Sequence, residues 1–198
     1  VTSFDPLTLL LVGVVISTVN GAAIMGVNYL HSSGGLVADL ARWMMGYLNE
    51  GLAPREVLTL MGVTLAGFAV LQWQGSAIDA ATFSDAEALS LGVNLRAMRV
   101  MLFVVASALA AGAVVLTGPV AFVGLICPHL ARLMLGPRHR LVLPSAALLG
   151  AALVTGADAA ATMLDFGTGR MPIGIFTALL GGPAFLVLFR AQMRRDVG

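Results

Sequence analysis

Apolar residues run through this chain in long uncharged blocks, and the length of each block is more informative than its periodicity. Pro6–Leu30, Val57–Ile78 and Met171–Phe189 contain no charge, and Leu141–Leu164 contains only Asp158, near its far end. A helix that crosses a bilayer needs about 20 mostly apolar residues, because the hydrocarbon core is about 30 Å thick and each residue rises about 1.5 Å. These four blocks meet that test. Val100–Pro128 is also uncharged, and with its continuation to Gly136 it would reach roughly 55 Å as one helix, too long for one crossing. It must break. Gly118-Pro119 is the expected place, since proline lacks a backbone donor and biases the residue before it away from helix. The pattern predicts an all-α membrane protein with about six transmembrane helices.

Composition agrees with lipid as the solvent: 59% of the 198 residues are apolar and 11% charged, with a mean hydropathy of +0.95. The net charge of +1 gives no footing for a nucleic-acid partner. Cys127, the single cysteine, lies in an apolar run, which excludes an intrachain disulfide and a cysteine-based metal site. All 11 basic residues are arginine. With six crossings, Arg96, Arg99, Arg132, Arg138, Arg140, Arg190, Arg194 and Arg195 fall on one side, and Arg42, Arg55 and Arg170 on the other. Cytoplasmic loops are enriched in arginine and lysine. Both termini and the 79–99 connection are therefore expected in the cytoplasm. No charged region precedes the first apolar run, so residues 1–30 read as a span rather than a cleaved signal, and the chain as part of something longer.

Two connections carry structure of their own. Leu36–Asn49 sets Leu36, Leu40, Trp43 and Tyr47 at helical spacing, with Asp39 and Arg42 on another face, as in an outer amphipathic helix. Ser84-Asp85-Ala86-Glu87 has the form of a capping box that opens a short helix. Gly92 can end that helix in the left-handed conformation, and Asn94 can cap the next. A helix of about two turns is not stable alone and needs a docking surface, on this protein or on another subunit.

Two long motifs then narrow the reading. The first is Gly118-Pro119, Phe122, Gly124-Leu125, Pro128-His129 and Arg132; the second is the unbroken Pro172-Ile173-Gly174-Ile175-Phe176-Thr177-Ala178-Leu179-Leu180-Gly181-Gly182-Pro183. Between them stand His139-Arg140, Leu143-Pro144 and Ala157-Asp158. In these positions the chain resembles the FecCD-type permease subunits of ABC importers for iron-siderophores, haem and vitamin B12.

That resemblance implies the second half of a ten-span permease: a single transmembrane permease domain over 1–198, N-terminally incomplete relative to the family and set in the plasma (inner) membrane. Ser84, Asp85, Glu87, Ala88, Leu91 and Gly92 would form the cytoplasmic helix that couples to an ATPase. At the positions of the family's usual Gly-Glu pair this chain has Ser84-Asp85, and Leu89 replaces a frequent arginine. Gly118, Pro119, Gly124, Pro128, His129, Gly174, Thr177, Gly181, Gly182 and Pro183 would line the translocation path or pack its helices. Arg42 and Arg170 would meet the binding protein; Thr162 occupies the position where the family often has arginine, so Arg170 would replace that contact, or docking would rest on residues absent from this chain. The implied partners are a second permease subunit (a homodimer mate or a paralogue), cytoplasmic ATP-binding subunits and an extracytoplasmic substrate-binding protein. An iron(III)-siderophore is the first substrate expected, with haem or cobalamin behind it.

Residue chemistry adds to this. There is no G-x-x-x-x-G-K-[ST] loop and no lysine to hold ATP phosphates. No cofactor is therefore expected in this chain, with ATP and Mg on the partner, and the subunit is not expected to be an enzyme. His129 has no second metal ligand at i+3 or i+4, so packing is preferred to metal ligation. Gly150 with Ala146, and Gly181-Gly182, permit close helix approach, and Pro183 is expected to kink the last span. Two other classes stay open. An intramembrane hydrolase would use Ser145, His129 and Asp158, although Ser145 after Pro144 fits a helix-start cap more simply. A stand-alone channel would work without any ATPase.

Overall fold

The computed structural model describes residues 6–30, 36–48, 51–82, 90, 92, 94–164 and 171–196. Among them the regular structure is helical: α1 (Pro6–Leu30), α2 (Leu36–Met44), α3 (Pro54–Trp73), α4 (Gly75–Ala80), α5 (Leu95–Thr117), α6 (Val123–Leu135), α7 (His139–Met163) and α8 (Ile173–Asp196). Four are long and apolar enough to cross a membrane, within Leu10–Leu30, Pro54–Trp73, Leu95–Thr117 and His139–Met163. Contacts divide the chain into two units, Val1–Arg42 and Trp43–Gly198. In the first, α1 exposes Leu10, Leu11, Val14, Val15 and Ile16 around its circumference. A helix apolar on every side suits lipid or a surrounding bundle.

Helix ends in the second unit have local causes. Pro54 opens α3, and the Ala53 N–H donates to the Glu56 carboxylate at 3.1 Å. This is half of a capping box, since Ala53 has no side-chain acceptor to return the bond. Asn94 caps α5, its Oδ1 accepting from the Ala97 N–H at 3.1 Å. The tight link between α6 and α7 starts at Gly136, whose φ of 83° and ψ of −175° are essentially confined to glycine. Hydroxyls within the apolar helices bond inward, as Thr59 to the Arg55 carbonyl and Thr155 to the Ala151 carbonyl, both at 2.8 Å. Each such bond satisfies its hydroxyl proton where water is scarce.

Packing centres on the α6–α7 hairpin, which buries Ile126, Cys127, Ala131, Val142, Ala157 and Ala161. Gly150 lies on this seam, where an added Cβ would sit 3.4 Å from Val123 Cγ1. Helices α3 and α5 meet where a Cβ on Gly67 would be 2.8 Å from Leu109 Cδ2.

Several sequence-derived boundaries shift. The block at 57–78 is not one helix: α3 stops at Trp73, and α4 follows a turn at Gln74. Its cause is tertiary, because Gly75 is pressed against Arg140, with a Cβ there only 2.6 Å from Arg140 Cγ. Helix α2 ends at Met44 rather than reaching Asn49, because Gly46 turns the chain at φ 80° and Tyr47 leaves the helical path. Helix α7 begins at His139, five residues before Pro144-Ser145. Ser145 is therefore not a cap; its hydroxyl donates to the Leu141 carbonyl at 2.6 Å. The long block does break after Gly118, and the second piece, α6, has 13 residues. That length spans only about 20 Å.

Candidate functional site

Two sites stand at opposite ends of α5, about 34 Å apart along its 23 residues. At the Thr117 end three backbone segments converge. The Tyr47 N–H donates to the Thr117 carbonyl, and the Ile173 N–H donates to the Gly46 carbonyl, each at 2.8 Å. The Trp43 indole N–H reaches the Val115 carbonyl at 3.4 Å. Two glycines make this approach possible. A Cβ on Gly118 would collide with the Trp43 carbonyl oxygen, and one on Gly174 with that of Met45. Gly118 also holds φ 67° and ψ −177°, a region essentially confined to glycine. Residues 43–47 thus strap the end of α5 to the start of α8.

Just beyond, the chain re-enters helix through Phe122, at φ 67° and ψ −22°. This left-handed conformation is unfavourable for a bulky side chain. Its ring is seated over Gly181, whose added Cβ would strike the Phe122 side chain, and lies 6.5 Å from the Phe185 ring. The start of α6 is keyed into α8. Non-helical backbone at membrane depth is tolerated where protein packs around it, and Gly118 is buried.

The Leu95 end holds the second site. Asp79, on α4, accepts the His139 backbone N–H at 2.9 Å, and its Oδ1 lies 2.7 Å from His139 Nδ1. It thereby caps α7 from outside that helix. Burial pushes the Asp79 carboxyl up, but the His139 backbone and ring hydrogen bonds, with the charges of His139 and Arg138, hold it below the usual carboxylate range. The carboxylate is then an acceptor only, so the Nδ1 proton belongs to His139. Gln72 Nε2 donates to the Arg140 carbonyl at 2.9 Å beside this pair. On its other side α4 packs Ala77 and Ile78 against Leu95 and Met98 of α5. An open groove of about 450 Å³ lies along this contact, lined by Gln74, Ala77, Gly92, Asn94, Ala97, Met98 and Met101.

The structure brings some of the expected site residues together and separates others. Gly118, Pro119 and Gly174 meet at the strap. Thr177 is buried, donating to the Gly174 carbonyl at 3.2 Å, and Gly181 and Gly182 face Phe122. Gly124 is exposed with open space around its Cα, Pro128 and His129 are half-buried on α6, and Pro183 lies exposed within α8. Arg42 is exposed in the last turn of α2. Gly92 has the expected positive φ, 77°, and open space about it. Ser84, Asp85, Glu87, Ala88, Leu91 and Arg170 lie outside the described residues. Among the described residues no cluster of three His, Cys, Asp or Glu side chains is placed to hold a metal ion. Sequence reasoning missed Asp79, His139 and Phe122 as structural keys. Phe122 and His139 stood among the motif residues without a structural role, and Asp79, an acid at the end of an apolar stretch, was the signal left unread.

Long apolar helices, a helical break held by glycine contacts and a helix cap supplied from 60 residues away define a multi-pass α-helical membrane protein. Residues 1–191 match the model of the FecCD transport family, and the chain belongs to that family. The vitamin B12 import system permease BtuC of Vibrio cholerae is 36% identical over 178 residues, covering 90% of this chain and 53% of that protein. The hemin transport system permease HmuU of Yersinia pestis is 36% identical over 191 residues, covering 96% of this chain and 56% of its own. A solved structure described as an inward-facing ABC transporter of the metal-chelate type superposes with a TM-score of 0.84 at 28% identity. That superposition covers 95% of this chain and 60% of the other. The chain spans about half the length of the curated relatives it matches.

Proposed function

We propose that this chain supplies the second half of the membrane-spanning path in an ATP-driven importer of large metal chelates. The observation that carries the reading is the match of residues 1–191 to a transport family, together with a broken, glycine-seated helix inside the signature stretch 118–136. On this reading α1, α3, α5, α7 and the paired α6 and α8 account for six crossings of one permease domain. The arginine bias then sets both termini and the Leu95 end of α5 in the cytoplasm. The strap at 43–47 faces the outside.

Transport is powered from elsewhere, because a chain without a P-loop must borrow ATP hydrolysis from cytoplasmic subunits that hold the nucleotide and Mg. Segment 83–94, with Ser84, Asp85, Glu87, Ala88, Leu91 and Gly92, is the surface those subunits press. A second permease subunit completes the path, which Gly124, Pro128, His129, Thr177, Gly182 and Pro183 line or pack. A binding protein delivers the chelate to the outer face, near Arg42 and Arg170.

An iron(III)-siderophore is the first substrate in this account. Cobalamin and haemin form the second reading, because the relatives named for those cargoes are 36% identical. All three are metal ions wrapped in a large organic ligand, a cargo that a path poor in charge can pass. The test is ATP-dependent uptake into proteoliposomes containing the full-length permease, its ATPase and its binding protein. Ferric siderophore, cyanocobalamin and haemin are supplied in competition. Preferred uptake of the ferric siderophore supports the first reading, and preference for either other chelate the second. Retention of none of them, or uptake without ATP, overturns the proposal.

A further inference from the structure

We propose that Asp79 and His139 form a relay that carries displacement of segment 83–94 into α7, making both of them positioning residues for coupled transport. The inference rests on the permease reading above and adds a route that the family match does not give.

Helix α4 has six residues, too few to hold its shape without neighbours. It is wedged between two helices. One face packs Ala77, Ile78 and Ala81 against Leu95 and Met98 at the start of α5. From the other, Asp79 reaches the first residue of α7 with two bonds, to the backbone N–H and to the ring. Both bonds converge on Asp79 Oδ1, so a shift of α4 that pulls this oxygen away from His139 breaks both. Alongside, Gln72 bonds the Arg140 carbonyl and Gly75 lies against Arg140, which closes the corner between α3, α4 and α7.

Covalent order supplies the input. Segment 83–94 leaves directly from Thr82, just past α4, and returns at Asn94, the cap of α5. The two attachment points of that segment are therefore α4 and α5. Packing carries a displacement between those two helices, and the Asp79–His139 link carries it onward to α7. From there α7 reaches the far end of the bundle over 25 residues, about 38 Å.

A helix cap with no further role would support folding alone, and the two roles separate in one ratio. The experiment uses the full-length permease assembled with its ATPase and binding protein in proteoliposomes, and reads ATP hydrolysed per chelate transported. His139→Ala keeps the backbone N–H for Asp79 and removes only the ring link. It is expected to raise the ratio at least fivefold while ATP hydrolysis persists. His139→Asn, whose amide nitrogen takes the place of Nδ1, is expected to stay within twofold of the unmodified protein. Asp79→Ala removes both bonds and is expected to raise the ratio at least as far; if it does not assemble, His139→Ala decides. An unchanged ratio in His139→Ala, with less protein or a lower Tm, overturns the relay and leaves a simple cap. Absence of chelate-dependent hydrolysis in the unmodified assembly contradicts the importer reading instead.

Discussion

Phe122 holds a left-handed backbone conformation directly over Gly181, where an added Cβ would collide with Phe122 Cβ. The conformation costs about 1–3 kcal/mol for a bulky residue and persists only where its surroundings impose it. Gly181→Ala drives a methyl group into the Phe122 side chain, an overpacking expected to cost about 1–3 kcal/mol. In a Phe122→Gly background the same substitution should cost much less, because the ring it strikes is gone. Thermal unfolding in detergent of the four proteins of this cycle gives the coupling. Additive losses would mean that the two residues do not share a seat.

The strap makes a sharper distinction among glycines that look alike in sequence. Gly118→Ala and Gly174→Ala each place a methyl group on a carbonyl oxygen of residues 43–45, and Gly118→Ala also adds backbone strain. Both should prevent stable accumulation in the membrane. Gly124→Ala meets open space in a helix and should gain about 0.5–1 kcal/mol from lower unfolded-state entropy. Expression and thermal unfolding of the three variants measure this order.

Acid should loosen the corner at Asp79. Its carboxyl is held below the ordinary value by His139 and Arg138, so the folded state releases this proton more readily than the unfolded chain. The stabilisation is complete above the ordinary carboxylate pKa of about 4 and is lost as pH falls through the lowered folded value. The stability difference between the unmodified protein and Asp79→Ala should shrink as pH falls below about 4. A pH series of thermal unfolding checks this.

Asn94→Ala removes the side-chain acceptor for the Ala97 N–H and should destabilise by about 0.5–2 kcal/mol. Asn94→Ser or Asn94→Asp should recover most of that, because either can cap. Thermal unfolding of the three variants reports the difference.

What could be read from sequence was local. Gly118-Pro119 announced the break in the long apolar block, and Asn94 its cap, because each acts within a few residues. The start of α7 was hidden, since its cap comes from Asp79, 60 residues away, and so Pro144-Ser145 looked like the first turn. The α3–α4 turn was hidden in the same way, because Gly75 is required by Arg140 and not by its own neighbours. Gly46 did offer a local signal for the end of α2, but the apolar spacing of Trp43 and Tyr47 masked it. At the candidate site, the signature glycines were visible as small residues. Which of them touch a carbonyl and which touch nothing depends on how three distant segments converge.

The central claim is that ATP hydrolysed by a partner is coupled to this permease through segment 83–94. It is tested most directly by chelate-stimulated ATP hydrolysis in proteoliposomes of the full-length assembly, with and without the paired changes Asp85→Lys and Glu87→Lys. The account predicts stimulation several-fold over the basal rate in the unmodified assembly and its loss in the charge-reversed one. Stimulation unchanged by the two substitutions would contradict it.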